Sequence, residues 1–353
     1  MYLKAFGLKE FPFRLTPDSD FLFMSTAHSR AKAYMDYSIW NRDGFVIITG
    51  EVGSGKTTLL QKLLSELDGN VSIAKVFQTQ LDEVELLQAI ALEFGLDPFN
   101  AKKVQLMDML NSFLIENFKN LKQTVLVVDD AHNLSARVLE EIRLLSGLET
   151  RKQKLLNVIL LGQPELNERL EAPGMEQLLQ RVRLRYHLKP LSEAESEAYI
   201  NHRLRIAGAS RKIFTQETMP LINNYTGGVP RLINTLCDTA LTCAYAENQQ
   251  TVTTETVAAA CEELQWLPYA KRINRARKLA TASSTKDAPS IDQRRLNLLE
   301  SKLQNIEAMA PAVEAIAKHM NEISTTLKQI VDLLDRDKNP QSDKPWNHFF
   351  GKK

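Results

Sequence analysis

A glycine-rich octet, Gly50-Glu51-Val52-Gly53-Ser54-Gly55-Lys56-Thr57, constrains this chain more than any other feature. It follows the apolar run Phe45-Val46-Ile47-Ile48-Thr49 and opens an amphipathic run from Thr57 to Leu67. That order reads as strand, loop, helix, the context in which G-x-x-x-x-G-K-[ST] cradles phosphates. The chemistry accounts for the residue types. Glycines let main-chain N–H groups converge on an anion, and the helix N-terminus adds the positive end of its dipole. Lys56 is expected to reach the β- and γ-phosphates of a nucleotide, and the Thr57 hydroxyl to ligate magnesium. Binding contacts are expected along Gly50, Glu51, Val52, Gly53, Ser54, Gly55, Lys56, Thr57 and Thr58, with ATP and Mg2+ as the cofactors.

The surrounding pattern places that loop in an α/β fold. Apolar runs at Val71–Phe77, Thr124–Val128 and Val158–Gly162 read as further strands, separated by helical stretches near Glu83–Phe94, Val104–Phe118 and Ala136–Leu148. Continuous apolar strands alternating with helices predict a parallel sheet covered on both faces. The strand ending at Val128 delivers Asp129, whose carboxylate is expected to hold the magnesium shell, and Asp130, which can polarise an attacking water. After Pro190 the pattern is helical only, at Glu193–Gly208, Gln216–Thr226, Pro230–Glu247 and Thr254–Leu264. The expected organisation is an α/β nucleotide-binding domain with an N-terminal leader at 1–190 and an α-helical lid at 191–268. A linker at 269–293, heptad-patterned helices at 294–335 and a tail at 336–353 follow.

Composition narrows the setting without naming it. The 353 residues exceed one typical domain. Lys and Arg number 44 against 43 Asp and Glu, so no global field demands nucleic acid or anionic lipid. Cys237, Cys243 and Cys261 have neither metal-binding spacing nor disulfide density, which suits a reduced, cytoplasmic compartment. No signal-peptide pattern opens the chain, and no apolar run approaches the roughly 18 residues of a membrane span. The expected location is cytoplasmic, held at the inner membrane if at all by partners.

Several motifs taken together resemble the AAA+ ATPases of the general secretion pathway protein A type, a group with homologues in MSHA-type pilus and exosortase-associated exopolysaccharide systems. The resemblance runs from about residue 1 to 267. It rests on Phe6-Gly7-Leu8, Pro12-Phe13 and Thr16-Pro17-Asp18, on the phosphate loop, and on Asp129-Asp130-Ala131-His132-Asn133-Leu134. Leu161-Gly162-Gln163-Pro164-Glu165-Leu166, Gln180-Arg181-Val182 and Gly227-Gly228-Val229-Pro230-Arg231 complete it. The resemblance implies a P-loop AAA+ sheet followed by a helical lid, ATP hydrolysis, and homo-oligomerisation. It implies Gln163 as the polar sensor of the γ-phosphate or water, and Arg181 as the arginine finger reaching a neighbour's nucleotide, with Arg183 as the alternative. Arg231 is implied as the second sensor, since a guanidinium grips phosphate oxygens in two places. The leader around Phe11–Pro17 either packs near the adenine or simply fills a core. One departure is evident: the family usually carries Asp-Glu where this chain has Asp129-Asp130, and the shorter side chain is expected to slow hydrolysis. His132 either hydrogen-bonds within the site or serves structure.

Two readings of purpose remain at this level. In the first, an oligomeric energy or switch component serves a bacterial envelope system for secretion, exopolysaccharide or pilus assembly. The heptads Leu296–Ile306 and Val313–Leu334, interrupted at Pro311, then supply either a zipper or a docking helix for an envelope or membrane-protein partner. The alternative is a DNA-binding AAA+ regulator resembling transposition ATPases, supported by Lys271, Arg272, Arg275, Arg277 and Lys278. That basic run reads equally as a solvated linker face or as a contact for anionic lipid.

Overall fold

The computed structural model describes residues 2–284 apart from 43, 68, 78–79 and 151–152, and side chains as far as Arg275 and at Lys278. The heptad region 294–335 and the tail 336–353 lie outside the described residues. In chain order the elements are α1 (Tyr2–Phe6), α2 (Thr26–Asn41), β1 (Phe45–Gly50), α3 (Lys56–Ser65), β2 (Val71–Val76), α4 (Glu83–Glu93) and α5 (Lys103–Lys119). Then come β3 (Gln123–Val128), a single 3-10 turn at Ala131–Asn133, α6 (Ala136–Leu145), β4 (Asn157–Gly162), α7 (Glu165–Leu170), α8 (Glu176–Leu179) and β5 (Val182–Leu188). Five helices follow: α9 (Glu193–Ile206), α10 (Thr218–Thr226), α11 (Pro230–Ala246), α12 (Thr254–Glu263) and α13 (Tyr269–Ser284).

The five strands form one sheet in the order β2-β3-β4-β1-β5, and every pairing is parallel. The central strands carry long apolar runs because both of their faces are covered. Phe45 and Ile47 of β1, Leu126 and Val128 of β3, and Val158 and Leu160 of β4 point into the core beneath α4, α5 and α6. Their alternating neighbours Val46, Ile48, Val125, Val127, Ile159 and Leu161 point into the core under α2 and α3. This two-residue alternation is that of a pleated strand. It gives a three-layer sandwich in which each fully buried large side chain contributes about 1.5–3 kcal/mol.

β5 escapes a search for apolar runs, and its place explains why. It is an edge strand with Arg183, Arg185 and His187 exposed between half-buried Val182, Leu184 and Tyr186. A strand covered on one face alternates polar and apolar residues, and this one reads as VRLRYHL. Helix starts follow capping chemistry: Ser25, Asp82, Ser135, Ser192 and Thr253 each accept a first-turn N–H of their helix.

The leader packs mainly on the lid rather than on the sheet, which Leu22 reaches. Tyr2, Phe6, Leu8, Phe13 and Phe21 are buried among Tyr199, Ile200, Phe214, Ile233, Leu236 and other residues of the lid helices. The lid's core is therefore built from both ends of the described sequence. The stretch from 269, expected to open a linker, is instead helical to Ser284. Its alanines, lysines and arginines are good helix formers, and composition alone does not separate a charged linker from a charged helix. Among the described residues no helix is long and apolar enough to cross a membrane.

Candidate functional site

Strand order decides where a site forms. β1 lies between β4 and β5, and the chain leaves it for β2 at the opposite edge, so successive connections diverge at its carboxyl end. In open parallel sheets that divergence creates a crevice at the strand ends. The β3–β4 register pairs Val128 with Leu160, and the β1–β4 register pairs Thr49 with Gly162. The ends of β1, β4 and β3 therefore bring the glycine loop, Gln163 and Asp129 side by side.

The loop from Gly50 to Gly55 needs glycine where the chain turns left-handed, at Gly53 (φ +80°) and Gly55 (φ +97°). Both positions are also crowded. A Cβ on Gly53 would lie 2.3 Å from Cβ of Arg231, and one on Gly55 would lie 2.9 Å from Nε2 of His28. α3 starts at Lys56 behind Gly55 with no side-chain cap, which leaves its first N–H groups for another acceptor. Ser54 Oγ is buried without a hydrogen-bond partner. Below the loop, the buried His28 accepts the Ser25 hydroxyl at Nδ1 (2.7 Å) and donates from Nε2 to the Ser54 carbonyl (3.1 Å). Burial holds the imidazole below its usual pKa, opposed by the bond to Ser54 and the charge of Glu195.

Lys56 folds back over the loop, donating to the carbonyls of Gly50 (2.7 Å) and Glu51 (3.0 Å). Burial pushes its pKa down, while Asp129, Asp130, Glu51 and Glu165 pull it up. The Thr57 hydroxyl donates to Asp129 Oδ2 at 2.6 Å, and Asp129 Oδ1 accepts the N–H of Asp130 at 2.9 Å. Buried Asp129 thus turns one oxygen to the start of α3 and the other to its own chain. Hydroxyl and carboxylate are hard oxygen donors of the kind magnesium takes, so the residues present fit that ion. Asp130 sits at φ +51° with its side chain mostly exposed.

Gln163 leaves the end of β4, and its amide nitrogen donates to His132 Nε2 at 2.7 Å. Thr49 Oγ1 accepts from Asn167 (3.2 Å) and is 3.1 Å from His187 Nδ1. The lid closes the other side: the main-chain N–H of Arg231 donates to the Gly53 carbonyl at 3.1 Å. Between sheet and lid lies a cavity of about 330 Å³. Lys56, Thr57, Asp130, Gln163 and Arg231 line it, together with Arg14–Asp18 of the leader. Within the leader, Phe13 is buried in the lid core, while Leu15 and Pro17 face the cavity.

Gly50, Glu51, Ser54 and Asp129 stand beside the residues that line the cavity, while Arg181, expected to act on a neighbour's nucleotide, is not among its lining residues. Its guanidinium donates to the carbonyl of Arg143 (2.7 Å) and to Ser146 Oγ (3.1 Å) at the end of α6. The structure also brings in residues that motif reading passes over. Arg203, buried on α9, lines the cavity and donates to the carbonyls of Pro12 (2.6 Å) and Arg14 (3.4 Å) and to the Tyr199 hydroxyl (2.8 Å). Its guanidinium also stacks over Phe21 at 5.0 Å. Asn234 accepts from Tyr199 (2.7 Å) and donates to the Arg14 carbonyl (3.3 Å). An arginine in a helical lid carries no sequence signal of its own; only the aromatic leader that it clamps hints at the need.

Such a site has N–H donors, a cation and hard oxygens converging under a lid, which suits a polyphosphate. Comparison with known proteins agrees with that geometry. A family model described as an AAA domain matches residues 40–170. General secretion pathway protein A of Aeromonas hydrophila is 41% identical over 266 residues, which cover 75% of this chain and 48% of that protein. The chain therefore spans about half the length of that relative. Among solved structures, Drosophila ORC bound to DNA aligns with a TM-score of 0.54 at 19% identity, covering 74% of this chain and 65% of that one. Cdc6p from Pyrobaculum aerophilum aligns at 0.54 and 15% identity, covering 74% and 70%. The Aeropyrum pernix ORC2 protein aligns at 0.52 and 18% identity, covering 67% and 66%. At these identities the likeness is one of fold, that of P-loop AAA+ proteins.

Proposed function

Since the chain carries an AAA domain of the general secretion pathway protein A type, we propose that it binds magnesium-ATP in the cavity between sheet and lid and hydrolyses it. The observation that carries this reading is the Thr57–Asp129 hydrogen bond of 2.6 Å beside a lysine folded over its own loop. Bound magnesium would be held by Thr57 and Asp129 and would neutralise charge on the phosphates. Lys56 exchanges the carbonyls of Gly50 and Glu51 for phosphate oxygens, and the N–H groups of the loop and of α3 surround them. Arg231, on the first turn of α11, adds a guanidinium from the lid side. Asp130 accepts a hydrogen bond from the attacking water, and Gln163 orients that water or the terminal phosphate. The lid and leader exclude bulk solvent, which strengthens each of these contacts.

The test is ATP binding and steady-state hydrolysis by the full chain, with Lys56→Ala as blank. Loss of both in that variant supports the reading. Equal binding in both proteins would overturn it.

We further propose that the active unit is a homo-oligomer in which a neighbour's arginine completes the site. Arg181 and Arg183 remain the candidates, and Arg181 would have to leave the end of α6 to act so. The name of the Aeromonas relative, a general secretion pathway protein, supports a role in an envelope export or assembly system, with 294–335 as the docking or oligomerising region and the chain cytoplasmic or peripheral at the inner membrane. The measurement is recovery of the chain with inner-membrane vesicles, with and without 294–335. The DNA-binding alternative rests on the basic run from 271. There Arg272 stacks over Trp266 at 4.4 Å and donates to the Tyr225 carbonyl, which takes one cation out of any open face.

A further inference from the structure

His132 sits between the two residues assigned above to the attacking water, and no motif gives it a role. The 3-10 turn Ala131–Asn133 places its ring in line with Asp130 on one side and Gln163 on the other. Gln163 Nε2 lies 2.7 Å from the ring's Nε2, and Asp130 Oδ1 lies 3.9 Å from its Nδ1. That Nδ1 is buried and has no hydrogen-bond partner. A Cβ on Gly162 would sit 3.3 Å from the main-chain nitrogen of His132, so the turn is seated against the end of β4.

Donor and acceptor chemistry selects one arrangement of a neutral ring. An amide nitrogen only donates, so Nε2 must accept, and the ring proton lies on Nδ1. If the amide were turned over, its oxygen would require Nε2–H, and the bare Nδ1 would face the Asp130 carboxylate, acceptor against acceptor. The charge of Asp130 therefore sets the tautomer, and the tautomer sets which way the Gln163 amide points. With one N–H committed to His132, Gln163 presents a single N–H and its carbonyl oxygen. Leaving a buried ring N–H without a partner is costly, which favours closing the 3.9 Å gap.

We propose that His132 is a positioning residue for hydrolysis: it couples Asp130 to Gln163 and holds the Gln163 amide in the one orientation that suits the attacking water. This rests on the hydrolysis reading above. It also suits the short side chain at Asp130, because the ring carries that carboxylate's influence to the end of β4.

The experiment uses the full chain with His132→Ala, His132→Gln, Gln163→Ala and the Ala double variant. The expected result is a fall in kcat of about tenfold or more for His132→Ala with KM changed little, because orientation rather than affinity is lost. The double variant is expected to be no worse than Gln163→Ala alone. His132→Gln is expected to recover part of kcat, since its amide oxygen can accept from Gln163. The nitrogen-15 spectrum of the ring, assigned by its loss in His132→Gln, is expected to report Nδ1–H and a bare Nε2. An Nε2–H ring, a doubly protonated ring, additive single effects, or His132→Ala within about twofold of wild type would each overturn the proposal. If wild type does not exceed the Lys56→Ala blank, the hydrolysis reading falls, and with it the role assigned to His132 in turnover. The ring spectrum then still decides whether the Asp130–His132–Gln163 row exists.

Discussion

The main-chain N–H of Arg231 donates to the carbonyl of Gly53 at 3.1 Å, so the first turn of the lid helix α11 rests directly on the phosphate loop. Contact this close requires a glycine, and the same hydrogen bond sets the distance of the Arg231 side chain from the cavity. Gly228 fixes the other end of the turn: its carbonyl accepts the Leu191 N–H at 2.9 Å where the chain enters the lid.

Gly53→Ala is expected to displace the lid, since the new methyl would lie 2.3 Å from Arg231 Cβ at a residue with φ +80°. The left-handed conformation alone costs an alanine about 1–2 kcal/mol. ATP affinity is expected to fall at least about tenfold, the equivalent of 1.4 kcal/mol, in a titration with a fluorescent ATP analogue. Arg231→Ala keeps the main-chain bond and removes only an exposed side chain. It is expected to weaken ATP binding while leaving unfolding within about 0.5 kcal/mol of wild type.

Arg203→Met is expected to loosen the leader. The substitution removes three donors from the Pro12, Arg14 and Tyr199 oxygens inside the lid core. Bonds from a charged donor are worth about 1.5–3 kcal/mol each, partly offset by no longer burying a cation, so a loss of about 2–4 kcal/mol is expected in urea unfolding. Trypsin is expected to cut near Arg14 in this variant sooner than in wild type.

Arg181→Ala is expected to destabilise by about 1–2 kcal/mol, because its guanidinium satisfies the end of α6 at Arg143 and Ser146. Hydrolysis per subunit measured against protein concentration separates that role from a second one. If activity per subunit rises with concentration in wild type and stays flat in Arg181→Ala, the arginine also serves a neighbouring subunit. Parallel curves assign it to α6 alone.

The buried ring of His28 carries a pH dependence whose sign follows from its environment. Its pKa is held down in the fold, chiefly by burial. The unfolded chain therefore takes up the proton first, near the ordinary value of about 6.5. The stabilising contribution is present above that pH and is lost as pH falls through the lower folded value. His202 is shifted in the same direction, by burial and by Arg205, and adds to the effect. The drop in Tm between about pH 7.5 and pH 5.5 is expected to be smaller in His28→Gln than in wild type. An equal drop would remove His28 from the account.

Much of the sheet and of the phosphate loop was legible because one physical requirement dictates each residue. β1, β3 and β4 are buried on both faces and so are written as unbroken apolar runs, and Gly53 and Gly55 stand where the chain must turn left-handed. β5 was not legible, since an edge strand reading VRLRYHL needs apolar residues on one face only. Asp129 follows from a strand end, which a sequence marks clearly, whereas Gln163 followed from the family resemblance. Arg203, Asn234 and His28 meet their partners across 191, 220 and 26 residues. No local pattern encodes such meetings. The opening of the expected linker proved helical at 269–284 because a solvated charged helix and a charged linker share a composition.

The central claim is that Lys56, Thr57 and Asp129 form a site for magnesium-ATP. Its most direct test is calorimetric titration of the full chain with a non-hydrolysable ATP analogue, with and without magnesium, in wild type, Lys56→Ala and Asp129→Asn. Binding is expected in wild type and strengthened by magnesium, lost in Lys56→Ala, and insensitive to magnesium in Asp129→Asn. Binding of equal strength in all three proteins, with the same response to magnesium, would contradict the account.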